Sequence, residues 1–241
     1  MPVYVVTGAN RGLGLEFVRQ ITQDSSNTVI AAVRSLQGEL DDLKDLASKA
    51  AGKVHVLECN TGDIGSIHAF GDAIKGPLGG QQIDYLLNNA GINATAEQTS
   101  LDMTPESLRQ HIDINVMGPA ETVKVLLPYL GKGSIVLNMT SGLGSSEHGV
   151  LTSVHRRPKC TTYSISKAAV NMLTVHQSEQ LKDRGIKVIC MDPGWVKTRM
   201  GGDGAILEPE DSIGGMLKVV HGVKNEDTGK FYTYTGEEVP W

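Results

Sequence analysis

Val3-Tyr4-Val5-Val6-Thr7-Gly8-Ala9-Asn10-Arg11-Gly12-Leu13-Gly14 is the stretch from which the rest of the chain can be read. Val3–Val6 is a short, continuously apolar run, as expected of a strand covered on both faces of a parallel sheet. The glycines after it permit a tight turn and close backbone approach, and a helical apolar pattern begins at Leu13. A strand, a glycine turn and a helix N-terminus in that order form a seat for a pyrophosphate. The first helical N–H groups point at the anion and the helix dipole favours it. A glycine cluster alone says little; its position between a strand and a helix gives it weight. The chain has no GxxxxGK[ST] loop, so a nucleoside-triphosphate loop of that kind is excluded.

Further along, short β-branched runs alternate with longer stretches of helical spacing. The strand candidates are Val3–Val6, Thr28–Val33, Val54–Glu58, Ile83–Asn88, Ser134–Met139, Lys187–Met191 and Phe231–Tyr234. The helix candidates are Leu13–Gln23, Leu36–Ala50, Ile64–Ile74, Pro105–Leu130 and Ser164–Arg184, with Thr104-Pro105 as an N-cap and Gly185 as a C-cap. This rhythm predicts an α/β fold: a Rossmann-like, doubly wound parallel sheet of about seven strands with helices on both faces. No repeat or linker divides residues 1–241, so one dinucleotide-binding catalytic domain is expected. Loops near 142–162 and 198–211 break the rhythm. Both follow strands, at the sheet end where ligands bind in open α/β folds.

The bulk composition excludes several classes. Lys and Arg number 22 against 27 Asp and Glu, a net charge of −5, which argues against nucleic-acid or anionic-membrane partners. Three separated cysteines without a CxxC pair fit neither a disulfide framework nor a zinc site, and a reducing, cytoplasmic setting is expected. No secretory signal is visible, and no apolar run approaches the roughly 20 residues of a membrane helix. His148 and His155 have no partner at metal-ligand spacing, so no metal is expected.

The second strand ends Ala31-Ala32-Val33-Arg34-Ser35, without the carboxylate that usually binds an NAD ribose. Arg34, together with Arg11 from the glycine turn, suits a 2′-phosphate, because guanidinium groups offer forked donors. The pattern favours NADP(H). Farther on, Tyr163-Ser164-Ile165-Ser166-Lys167 puts Tyr163 and Lys167 on one helix face. An ammonium there would lower a phenol pKa of about 10 and equip the tyrosine for proton transfer to a carbonyl oxygen. An isolated YxxxK is more often a surface pair. Here Ser141 after an apolar strand and Asn115 within the long helix strengthen it.

With these residues in view, the chain resembles the short-chain dehydrogenase/reductase family from end to end. TGANRGLG (Thr7–Gly14) matches the family's TGxxxGxG, and Asn88-Asn89-Ala90-Gly91 matches its NNAG. Asn115, Ser141, Tyr163/Lys167 and Pro193-Gly194 follow in family order. The resemblance implies that Ser141 polarises the substrate carbonyl and that Tyr163 is the general acid in reduction. It implies that Lys167 binds the nicotinamide ribose and that Asn115 holds a helix distortion and a water leading to Lys167. For the cofactor it implies contacts from Gly8, Asn10, Arg11, Gly12, Leu13, Gly14, Arg34, Asn89, Ala90, Gly91, Tyr163 and Lys167. At the nicotinamide end it adds Pro193, Gly194, Val196 and Thr198. Where the family commonly has an adenine-contacting Asp, this chain has Asn60, whose amide can still hydrogen-bond.

Arg11 with Arg34, Leu13–Gln20, Asp192–Gly202 and the terminal GEEVPW resemble the small NADPH-dependent carbonyl reductases of the sniffer and C-factor group. The expected activity is reduction of an aldehyde or ketone. The alternatives are an NAD-dependent alcohol dehydrogenase of the same fold and a non-catalytic NADP(H)-sensing regulator. Arg156 and Arg157 border the expected substrate mouth, Met200–Asp211 reads as a lid, and the resemblance implies a homodimer or homotetramer.

Overall fold

The computed structural model describes residues 1–147 and 159–241. Seven strands form one sheet: β1 (Val3–Thr7), β2 (Thr28–Val33), β3 (Lys53–Glu58), β4 (Ile83–Asn88), β5 (Leu130–Met139), β6 (Lys187–Asp192) and β7 (Phe231–Thr233). Their order is β3-β2-β1-β4-β5-β6-β7, and every pairing is parallel. The Rossmann-like α/β architecture is as the sequence implies. Chain order reverses between β1 and β4, and the carboxyl ends of those strands open the crevice where such sheets bind ligands.

Alternate strand residues feed two apolar layers. On one face Val6, Ala31, Leu87, Leu137 and Ile189 pack with α1 (Gly12–Ile21), α2 (Asp41–Lys49) and α8 (Pro209–Gly222). On the other, Val5, Ile30, Leu86, Val136 and Val188 pack with α3 (Ile64–Ala73), the short α4 (Lys75–Leu78) and α6 (Gly118–Leu126). With both faces covered, the strands are apolar almost throughout rather than alternating.

Several boundaries differ from the sequence reading for identifiable reasons. The helix expected over Pro105–Leu130 is three pieces: α5 (Pro105–Ile112), a π-helical turn at Asp113–Met117, then α6. A 3₁₀ turn at Leu127–Tyr129 ends it and Leu130 already starts β5. Gly131-Lys132-Gly133 hid that start by looking like a turn. The irregularity it makes between Ile83 and Tyr85 is filled by Ser134, whose Oγ donates to the Ile83 carbonyl at 2.6 Å and accepts from Gly131 N. The Leu36–Ala50 helix begins only at Asp41.

The loop expected over 198–211 ends at Pro209, where α8 starts with proline in its first turn, followed by Glu210 and Asp211 against the helix dipole. That signature was available in the sequence and α8 was missed. The last large helix, α7, spans Thr161–Leu181, three residues earlier than expected at its start. Its buried face is polar, with Ser166, Lys167, Asn171, Thr174 and Gln177, whereas Ile165, Met172 and Val175 are exposed. Among the described residues no helix is long and apolar enough to cross a membrane.

Candidate active site

The glycine turn lies at the carboxyl end of β1. Gly8 and Gly12 adopt φ of 66° and 53°, which side chains rarely tolerate. Gly14 is required for another reason: a Cβ there would lie 2.1 Å from the Gly8 carbonyl oxygen. The first turn of α1 therefore presses directly on the end of β1. Arg11 occupies the N-cap in extended conformation without a side-chain cap, so the first N–H groups of the helix face the crevice. Asn89 braces the turn from β4, with its Nδ2 donating to Thr7 O at 2.8 Å, and Ala90 N donates to Thr7 Oγ1 at 3.0 Å. A glycine cradle closed to any Cβ, with an uncapped helix start above it, fits a dinucleotide pyrophosphate.

Around the cradle, Asn10 Nδ2 reaches Glu39 O at 3.2 Å, and Leu13 packs its side chain partly on the core. Arg11 and Arg34 are both exposed, and no ion pair among the described residues engages either. Asn60 Oδ1 accepts from Gly62 N at 3.2 Å, which leaves its amide NH₂ for another acceptor. Opposite the cradle, a Cβ on Gly12 would touch Thr198 Cγ2 at 3.5 Å, so Thr198 forms the facing wall. Gly194 turns with φ of 79°, and the Pro193 carbonyl accepts from Ser212 Oγ at 2.7 Å. Val196 is buried, and its backbone forms a parallel bridge with Leu207.

The catalytic candidates come from three elements. Ser141 follows β5 in extended conformation and caps a 3₁₀ turn at Gly142–Gly144, with Leu143 N donating to its Oγ. Tyr163 lies in the first turn of α7. The start of that helix is fixed from the segment after β4: Cys160 N and Thr161 N donate to the carbonyls of Ala96 and Gln98, and the Thr95 and Thr162 hydroxyls pair at 3.0 Å. Cys160 sits there with φ of 61°. One turn on, Lys167 is 3% exposed, donates from Nζ to the Met139 carbonyl at 2.8 Å, and lies 5.5 Å from the Tyr163 ring centroid.

Asn115 lies in the π turn, 1% exposed. Its Oδ1 accepts from Ile92 N at 2.8 Å, and its Nδ2 donates to Ile92 O and Ser166 Oγ at 2.9 and 3.0 Å. A Cβ on Gly91 would meet Asn115 Oδ1 at 3.2 Å and Lys167 Nζ at 3.5 Å, so these three residues converge. The wider helical turn aims Asn115 at this junction, consistent with the tendency of π turns to mark functional positions.

The electrostatics differ from the sequence expectation. Burial pushes the Tyr163 phenol above its ordinary value, with the Asp192 carboxylate adding to the rise, and a hydrogen bond with the Ser141 side chain opposes it. Burial lowers Lys167 to about 8, because an ammonium is costly away from water. Desolvation is thus the leading influence on the phenol, which keeps its proton at neutral pH. His148, His155, Arg156 and Arg157 lie outside the described residues. Among those described, no group of three or more His, Cys, Asp or Glu is arranged to hold a metal ion.

One set of polar contacts escaped the sequence reading. Asn138, Thr140, Asn171, Thr174 and Gln177 are buried and join the end of β5 to α7. Polar residues at helical spacing after Lys167 were the available signal.

A model of the short chain dehydrogenase family matches residues 2–205. The C-signal protein of Myxococcus xanthus is 35% identical over 161 residues, covering 66% of this chain and 93% of that one. The NADPH-bound carbonyl reductase from chicken fatty liver superposes with a TM-score of 0.91 at 31% identity, over the whole of both chains. The carbonyl reductase Sniffer of Drosophila melanogaster does so with a TM-score of 0.90 at 28% identity, again over both whole chains.

Proposed function

The chain belongs to the short-chain dehydrogenase family, and from that premise we propose that it is an NADPH-dependent oxidoreductase reducing an aldehyde or ketone, with Tyr163 as proton donor. The observation that carries this reading is the meeting of Ser141, Tyr163 and Lys167. The phenol is held neutral and hydrogen-bonded to the serine, and the ammonium lies one helical turn away. In that form the phenol carries the proton that a carbonyl oxygen would take up in reduction.

The roles read for the site residues rest on the family resemblance and are supported by their placement. The glycine cradle and the first N–H groups of α1 bind the pyrophosphate, and Arg11 and Arg34 hold the 2′-phosphate. Asn60 meets the adenine; Asn89, Ala90 and Gly91 support the turn. Pro193, Gly194 and Thr198 border the nicotinamide end, with Val196 buried in the same segment. When bound, the dinucleotide supplies the hydride. Ser141 donates a hydrogen bond to the substrate carbonyl and Tyr163 passes its proton to the carbonyl oxygen. Lys167 binds ribose hydroxyls and steadies the phenolate left behind, and Asn115 holds the route by which the proton is restored.

Two further readings belong with this one. We also read the chain as a homodimer or homotetramer, a reading supported by the exposed Ile165, Met172 and Val175 of α7 and Met117 of the π turn. We also read the setting as cytoplasmic, a reading supported by three separated cysteines that fit no disulfide framework.

Fluorescence titration with NADPH and NADH, joined to turnover of Tyr163→Phe, tests the reading. NADPH should bind more tightly, and the variant should bind NADPH as the parent does yet lose turnover by about 10²–10⁴. Tighter NADH binding would overturn the cofactor assignment, and unchanged turnover would overturn the role of Tyr163. A cofactor-binding protein inert toward a broad panel of aldehydes and ketones would instead be a non-catalytic sensor.

A further inference from the structure

We propose that Asn171 is a positioning residue: its amide clamps the turn that carries Ser141 onto the helix that carries Tyr163 and Lys167. This rests on the reading of Ser141 and Tyr163 as catalytic. Tyr163, Lys167 and Asn171 recur at intervals of four residues, so they rise along one face of α7. The first two face the crevice. Asn171 lies deeper, 4% exposed, and both ends of its amide are engaged with the chain on either side of Ser141.

Before the serine, Thr140 Oγ1 donates to Asn171 Oδ1 at 2.6 Å; after it, Asn171 Nδ2 donates to the Gly144 carbonyl at 3.2 Å. The backbone approaches closely at the same place. A Cβ on Gly144 would lie 2.8 Å from the Lys167 carbonyl carbon, so the turn rests against the helix at the catalytic lysine itself. The junction continues down the strand. Met139 O accepts from Lys167 Nζ at 2.8 Å, and Asn138 Nδ2 donates to Thr174 Oγ1 and Gln177 Oε1 at 3.0 and 2.9 Å. Three consecutive residues at the end of β5 are therefore tied to α7 by side-chain hydrogen bonds. Asn171 bonds to both ends of the turn that follows them.

Simple stabilisation would be served as well by apolar side chains of similar volume, because buried polar pairs contribute little net energy but demand a specific geometry. A geometric demand at this point has a catalytic use. Ser141 and Tyr163 come from different elements and must address one carbonyl oxygen, and a displacement of about 1 Å can cost about a hundredfold in rate. The Cys190 thiol of β6 also lies 3.7 Å from Asn171 Oδ1, a third contact on the amide.

The test is a double-mutant cycle with a second, activity-independent readout. Turnover is measured on para-nitrobenzaldehyde and on the best-used member of a carbonyl panel, for Asn171→Ala, Ser141→Ala and the double variant. Asn171→Ala should lower kcat by about tenfold or more and leave the NADPH dissociation constant within about twofold, since no cofactor-binding group is touched. In the Ser141→Ala background it should cost less than about twofold, because a residue acting through Ser141 has nothing left to position. In the cofactor-free protein, amide exchange at Leu143 and Gly144, whose N–H groups bond to Ser141 Oγ and O, should rise in Asn171→Ala while the β1 amides stay protected.

Equal cost in both backgrounds, or unchanged exchange at the turn, would overturn the proposal. If Ser141→Ala keeps full turnover, or the parent turns over no carbonyl, the catalytic reading fails, and the exchange measurement still judges the clamp. Thr140→Val, which removes the hydroxyl shared between Asn171 Oδ1 and the Lys167 carbonyl and leaves Asn171 in place, should show the same pattern at smaller size. It decides the matter if Asn171→Ala does not fold.

Discussion

At the scale of single residues, the site places a lysine where an ammonium is disfavoured. Lys167 is lowered to about 8 from 10.5, with burial as the leading cause. The sign of the pH effect follows. The fold carries the cost of burying this charge at and below about pH 8, and the cost fades as pH rises toward the ordinary lysine value. In urea unfolding of the cofactor-free protein, Lys167→Met should be more stable than the parent at neutral pH, and the gap should close as pH climbs past about 8. A gap that widens with pH would contradict a buried cation. Comparing the two proteins at each pH cancels the tyrosines and cysteines that titrate in the same range. Arg34 gives a second residue-scale test. Arg34→Asp should weaken NADPH binding by roughly ten- to a hundredfold, the worth of a charge-assisted hydrogen bond, and weaken NADH binding far less. Equal losses for both cofactors would remove Arg34 from the 2′-phosphate.

At the scale of elements, the close seating of α1 on β1 is the feature on which cofactor binding turns. Gly14 cannot take a Cβ without moving the helix off the Gly8 carbonyl. Gly14→Ala should therefore reduce both the unfolding midpoint and NADPH affinity. Gly76 is the control: it lies in the short α4 with nothing within 4 Å of a built Cβ. Gly76→Ala should be neutral or stabilising by up to about 1 kcal/mol. If both substitutions cost the same, the contact with Gly8 is not what makes Gly14 necessary. The π turn marks the limit of reading elements from the sequence. Apolar spacing through Asp113–Met117 is indistinguishable from ordinary helix, and the extra residue per turn shows only where Asn115 meets Ile92 and Ser166.

At the scale of the whole molecule, α7 works in two directions. Its polar side faces β5 and the site, and its apolar side, with Met172 59% exposed, faces outward. If that outer face joins two copies, Met172→Glu should convert the parent oligomer to monomers in sedimentation velocity while α7 and NADPH binding persist. A parent that sediments as a monomer would refute the association. The sequence shows apolar residues at helical spacing over Ser164–Arg184 but not which of them meet the core. Periodicity identifies a helix but not which neighbour each face meets.

The sequence by itself determined the parallel α/β class, the glycine cradle and its place after β1, the two arginines without an acid, and the residue types at Asn115, Ser141, Tyr163 and Lys167. These are local properties: strand periodicity, glycine conformations and side-chain chemistry are written into a few consecutive residues. Tertiary structure alone decided the switch point between β1 and β4, the π turn, the buried Val196 and the clamp at Asn171. It also decided the direction in which the Tyr163 ionisation is shifted, up rather than down. An ionisation equilibrium depends on how much water and charge surround the group, and residues far apart in the chain supply that surrounding: Ser141 after β5, Asp192 at the end of β6, and the packed body of the protein between them.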